Sequence, residues 1–142
     1  MEKTTLLWGT ANPEGVDSSD GIFLSKSDIK DMIAQIEAKQ RRGERIPVHV
    51  EHAGVSIGHV VSAWEHAEKM EIVLALNENV LEGSLGSEFV RTGMCKDLSL
   101  GYEVAIENSI RGVKAKRKDL KEVSIVKRGA RRACRIKGVS GK

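Results

Sequence analysis

Three short runs limit the fold of this 142-residue chain more than anything else in it: PVHVEHAG (Pro47 to Gly54), KDLSLGY (Lys96 to Tyr102) and KEVSIVKRGARR (Lys121 to Arg132). Each alternates apolar and polar residues with the period of two that marks a strand lying against a core. In the first run Val48, Val50 and then His52 are expected on one face, with Pro47, His49 and Glu51 on the other. The imidazole would thus continue the apolar side, where Ala53-Gly54 breaks the strand. In the second, Leu98, Leu100, Tyr102 and Val104 share a face opposite Ser99, Gly101 and Glu103. In the third, Glu122, Ser124 and Val126 oppose Val123 and Ile125.

The rest of the chain supplies partners for these strands. Thr4 to Thr10 has strand composition, and loop chemistry rich in Gly, Asp, Ser and Pro follows it. A helix is expected from Ser25 to Arg42: Ile29, Met32, Ile33 and Ile36 recur at helical spacing, Ser27 is the candidate cap, and Gly43 stops it. SIGHVVSAW and MEIVLAL read as a hairpin around EHAEK, with Gly58 marking a bulge or a close backbone approach and with His59 and His66 on the surface. Asn79 to Thr92 reads as a helix with Leu81, Leu85 and Phe89 along one side, weakened by Gly83 and Gly86 and ended by Gly93. After Lys96 to Ile106 come a turn near Asn108-Ser109, a weaker strand from Ile110 to Lys116, the Glu122 strand, a loop at Gly129-Ala130 and a last short strand, CRIKGV.

The length suits one domain over residues 1–142, and 40% hydrophobic with 30% charged residues suits a folded, soluble one. No apolar run approaches the roughly 20 residues that span a bilayer, and MEKTTLLWGT lacks the apolar core of a signal peptide, so no membrane and a site of action inside a cell are expected. Cys95 and Cys134 stand apart in no CxxC pattern and read as reduced, structural thiols. Net charge is only +3, but basic residues crowd the stretch from Arg111 to Lys142. A basic β-domain that binds nucleic acid or scaffolds a particle is therefore the alternative to an enzyme.

Ser99, His52 and Glu122 are residue types that can work together. A serine hydroxyl becomes a nucleophile when a general base takes its proton, and the base needs a third group to orient it and stabilise its charged form. Glycine-turn amides near Gly129, Ala130 and Arg131 are candidates for an oxyanion hole. His49-Val50-Glu51 has the H-x-E of zinc deaminases, but no P-C-x-x-C follows, so neither a metal nor a cofactor is expected. Asp97 stands where a G-x-S-x-G elbow needs its first glycine.

The succession PVHVEHAGVSIGHVVSAW, KDLSLGY, EVSIVKRGARR resembles the capsid maturation protease of herpesviruses, assemblin, and the related prohead proteases of tailed phages. In that superfamily a histidine follows a short strand, the nucleophile sits in a [VL]-S-[LI] strand, and the third triad member opens the next strand. The resemblance implies His52 as base, Ser99 as nucleophile and Glu122 as third member, with Gly129, Ala130, Arg131 and Arg132 as the oxyanion and substrate-binding segment. Glu122 departs from the herpesvirus pattern, which has a second histidine there. The implied fold is a closed or nearly closed β-barrel of mixed strands with helices packed outside it. Also implied are a serine endopeptidase, scaffolding protein and major capsid protein as substrates, self-cleavage from a scaffold fusion that would leave VSGK as a trimmed end, and action inside an assembling procapsid in host cytoplasm or nucleus. A homodimer stays open, because the chain is shorter than the herpesvirus enzymes.

Overall fold

The alternating segments become seven strands, and the two stretches with helical spacing become helices. In chain order these are β1 (Thr4–Pro13), α1 (Lys26–Arg41), β2 (Pro47–Val50), β3 (Gly58–His66), β4 (Lys69–Asn77), α2 (Leu81–Arg91), β5 (Asp97–Asn108), β6 (Lys114–Val126) and β7 (Ile136–Val139). The structure, a computed structural model, describes residues 4–13, 26–67, 69–108, 114–128 and 134–140.

All seven strands belong to one sheet, in the order β5-β6-β2-β3-β4-β1-β7. Neighbours run antiparallel except β2 and β6, which are parallel. The sheet curls until its ends meet. Arg135, just before β7, bridges Asp97 at the start of β5, Leu98 N–H donates to the Cys134 carbonyl at 2.8 Å, and Ile136 N–H donates to the Lys96 carbonyl at 2.9 Å. The expected barrel of mixed strands with flanking helices is the fold that forms. Inside it, Leu7, Val48, Val60, Ile72, Leu74, Leu76, Leu98 and Val123 pack into one apolar cluster. The α1 stripe of Ile29, Met32 and Ile36 joins the same cluster.

Polar contacts then pin α1 to one place on the sheet. The Gln35 amide donates to the Lys118 carbonyl at 2.9 Å and accepts from Leu120 N–H at 2.8 Å, so one side chain serves as a short extra strand beside β6. Lys118 pairs with Asp28 at 2.8 Å. Both contacts fall just upstream of Glu122, where a β-bulge at Lys121 sets two residues of β6 against one step of β5. Bulges of this kind re-aim side chains.

Several expectations are corrected. Residues 114–116, the described end of the strand expected at Ile110 to Lys116, and the expected Glu122 strand are one strand, β6, because its pairing with β5 resumes on both sides of the bulge. Residues 109–113, with part of the turn expected near Asn108-Ser109, lie outside the described residues. β1 likewise continues to Pro13, paired with Lys69. Lys26 is already helical, so Ser27 lies within the first turn of α1 and does not cap it. Gly58 marks a close approach, since a Cβ there would overlap the Ala75 carbonyl.

The packing of α2 is decided by its small residues. It buries Gly83, Gly86 and Ser87, while Leu81 is 70% and Leu85 45% exposed. A Cβ at Gly83 would meet the Asn77 carbonyl and one at Gly86 would press on the Ile57 side chain. Close backbone approach therefore chose the packed face; Phe89 packs partly against the core, and with Leu85 it lines a hollow of about 220 Å³ beside Val50, Val55 and Ile57. No helix among the described residues is long and apolar enough to cross a membrane.

Candidate active site

Sheet order alone brings β5, β6 and β2 side by side, and their registers align Ser99 with Ser124 and Ser124 with His49. Directly opposed residues point to the same face, so this row lies on the side away from Leu98, Leu100, Val123 and Ile125. Ser99 is only 8% exposed, Glu122 8%, and Ser124 fully buried.

His52 reaches the row by leaving the strand. β2 ends at Val50, and Glu51 and His52 take left-handed backbone angles, φ 50° and 56°. The alternation that would have put His52 with Val48 and Val50 stops there, and the ring swings to the Ser99 side. Two non-glycine residues in that region cost roughly 1–3 kcal/mol each, which several hydrogen bonds of about 1 kcal/mol must offset. Glu51 N–H donates to the Ile125 carbonyl at 3.0 Å, Ala53 N–H to the Val50 carbonyl at 3.0 Å, and His52 N–H to Ser124 Oγ at 3.1 Å. The Glu51 carboxylate accepts from Lys127 N–H at 2.6 Å, tying the turn to the end of β6.

The result is a continuous row of hydrogen bonds. Ser99 Oγ lies 3.0 Å from His52 Nε2, and His52 Nδ1 is hydrogen-bonded to Glu122 Oε1. A carboxylate facing Nδ1 keeps the proton on that nitrogen, so Nε2 is bare and accepts from the serine hydroxyl. The His52 side chain remains 43% exposed, which leaves the imidazole open to an incoming molecule while the Glu122 carboxylate is covered.

Two residues outside the expected set also touch Glu122. Ser124 Oγ–H donates to Glu122 Oε2 at 2.7 Å, and His49 Nδ1 lies 3.8 Å from the same oxygen. Alternation had placed His49 and Ser124 on their correct faces, but their meeting depends on the β2–β6 pairing, which is not local. Gly101 completes the enclosure, because a Cβ there would overlap the Glu122 carboxylate. Gly129, Ala130, Arg131 and Arg132 lie outside the described residues. Glu122, expected to open a strand, sits well inside β6.

Elsewhere, His59 is half-buried rather than a plain surface residue. Burial, and then the charge of Arg45 whose guanidinium lies 2.9 Å from Nε2, hold its pKa below the ordinary value. Cys95 and Cys134 are buried and form no disulfide, Cys134 Sγ donating to the Ala11 carbonyl at 3.1 Å, and burial pushes the Cys95 thiol up. Among the described residues no group of three or more His, Cys, Asp or Glu forms a metal-binding cluster.

No protein-family profile matches the chain, nor does any curated protein. Solved structures do. The protease of Kaposi's sarcoma-associated herpesvirus, in complex with a hexapeptide phosphonate inhibitor, is similar with a TM-score of 0.63 and 12% identity, over 99% of this chain and 66% of that one. The same virus's protease bound to a dimer disruptor gives 0.60 and 13%, over 99% and 78%. Varicella-zoster virus protease gives 0.60 and 12%, over 99% and 65%. The chain spans about two thirds of the length of the first and last of these proteases. At such low identity the likeness speaks for architecture: this chain has the fold of the herpesvirus proteases.

Proposed function

We propose that this chain is a serine endopeptidase that trims scaffolding protein and capsid-protein extensions while a viral procapsid matures. The observation that carries this reading is the hydrogen-bonded row Ser99, His52, Glu122 on the fold of herpesvirus proteases.

Ser99 Oγ attacks the scissile carbonyl carbon as its proton passes to His52 Nε2, and the Nδ1–H bond to Glu122 stabilises the imidazolium that results. Collapse of the tetrahedral intermediate breaks the C–N bond, and His52 returns the proton to the departing amine. Water then repeats the sequence on the acyl-enzyme, with His52 as base, and frees Ser99. The oxyanion role falls to amides of the Gly129 to Arg132 segment, a role carried by the sequence resemblance. That segment follows directly from the end of β6, which Glu51 ties to the His52 turn.

Self-cleavage, a homodimer and work inside the procapsid in host cytoplasm or nucleus belong to the same proposal. The Kaposi's virus enzyme is known with a peptide-like inhibitor and with a dimer disruptor, which supports peptide substrates and pairing here. The test is covalent labelling by a fluorophosphonate. The folded chain is expected to label at Ser99, and Ser99→Ala to abolish both labelling and trimming in assembling particles. A folded wild-type chain that does not label, with normal particle maturation in the Ser99→Ala mutant, would instead favour the basic binding module.

A further inference from the structure

The hydroxyl of Ser124 connects parts of the site that no other described side chain connects. It is fully buried on the strand between the nucleophile's strand and the base's strand, opposite Ser99 on one side and His49 on the other. A hydroxyl has one hydrogen to give and two lone pairs to accept with. Here the hydrogen goes to Glu122 Oε2 at 2.7 Å, one lone pair takes the main-chain N–H of His52 at 3.1 Å, and His52 Nδ1 lies 3.2 Å from the same oxygen. One oxygen thus fixes the carboxylate that orients the imidazole and also holds the left-handed backbone that presents it. Being buried, it has no water ready to replace it.

We propose that Ser124 is a positioning residue for acyl transfer at Ser99, a role that rests on the protease reading above. It touches neither substrate nor nucleophile. It acts by holding Glu122 and the His52 turn as one unit, so that Nε2 stays at hydrogen-bond distance from Ser99 Oγ.

Three substitutions in the full chain separate this role from simple packing. Ser124→Ala removes the hydroxyl, Ser124→Cys fills nearly the same space with a weak donor and acceptor, and Ser124→Thr keeps the hydroxyl while adding a methyl. The Ala and Cys variants are expected to slow fluorophosphonate labelling of Ser99 on the order of 10- to 100-fold, with the Thr variant restoring most of the rate. In the same two variants the His52 amide is expected to exchange its hydrogen about tenfold faster. Should the Ala variant fail to fold, the Cys variant decides alone. Labelling of Ala or Cys within about twofold of wild type overturns the proposal, as does a Thr variant slower than Cys, which would mark a packing role. The exchange measurement needs no activity. If the wild-type chain does not label, the protease reading fails, whereas unchanged His52 exchange in the variants shows separately that Ser124 holds no turn.

Discussion

At the scale of single residues, Gly101 is the position where the smallest change should matter most. Its missing Cβ is the space the Glu122 carboxylate occupies, so Gly101→Ala must push that carboxylate away from His52. Misplacement of a catalytic group by about 1 Å costs on the order of 100-fold, and labelling of Ser99 should slow by about that factor while the melting temperature changes little. An unchanged rate would show that Glu122 is not needed where it sits. His59 supplies a pH prediction. Its pKa lies below the unfolded value of 6.5 for burial and then for Arg45. The unfolded chain therefore takes up a proton first as pH falls, so this contribution to stability is intact above pH 6.5 and is lost as pH drops below it. An NMR titration should place the His59 midpoint below 6.5, and Arg45→Met should raise it; a wild-type midpoint at or above 6.5 contradicts the assignment. Residue chemistry made Ser99, His52 and Glu122 candidates, and the resemblance to herpesvirus and phage proteases joined them as partners. The route by which His52 arrives was not legible, because in the sequence the alternation of β2 runs on through Glu51 and His52.

At the scale of elements, α1 does more than cover the core, because Gln35 serves the backbone of β6 on both sides of Asp119. Gln35→Ala leaves the part-buried Leu120 N–H unpaired, at a cost of about 1–3 kcal/mol, and urea denaturation should show a loss in that range. A loss below the error of the measurement would mean that water replaces the amide. The helical spacing of Ile29, Met32 and Ile36 identified both the helix and its buried face, since a long apolar stripe leaves only one way to dock. For α2 the same spacing found the helix and its apolar side, of which only Phe89 packs against the core. Gly83, Gly86 and Ser87 let the backbone come within contact of Asn77 and Ile57, and that proximity outweighed burial of Leu81 and Leu85. Small residues read as helix weakeners until the surface they approach is known.

For the whole molecule, closure of the barrel joins the two ends of the described chain to the strand that carries Ser99. Thr10 N–H donates to the Arg135 carbonyl at 3.0 Å and Ser140 N–H to the Leu6 carbonyl at 2.7 Å, while Cys134 and Lys96 complete the seam beside Ser99. Gly9 permits that seam, because a Cβ there would strike the Arg135 carbonyl. Gly9→Val should cost about 1–3 kcal/mol and lower the labelling of Ser99 in step with the folded fraction. If labelling per folded molecule falls as well, the seam does more than stabilise the fold and also sets the place of Ser99. By itself, the amino-acid sequence determined where most strands and both helices lie, which strand residues and which stripe of α1 meet the core, and which polar side chains are chemically equipped, because these follow from local period and residue type. Only the tertiary structure decided that β2 lies parallel to β6, that His52 leaves its strand to meet Ser99, and that Ser124 and Gly101 enclose Glu122. The first two depend on register between segments distant in the chain, His52 lying 47 residues from Ser99 and 72 from Ser124, and no local pattern encodes such a register.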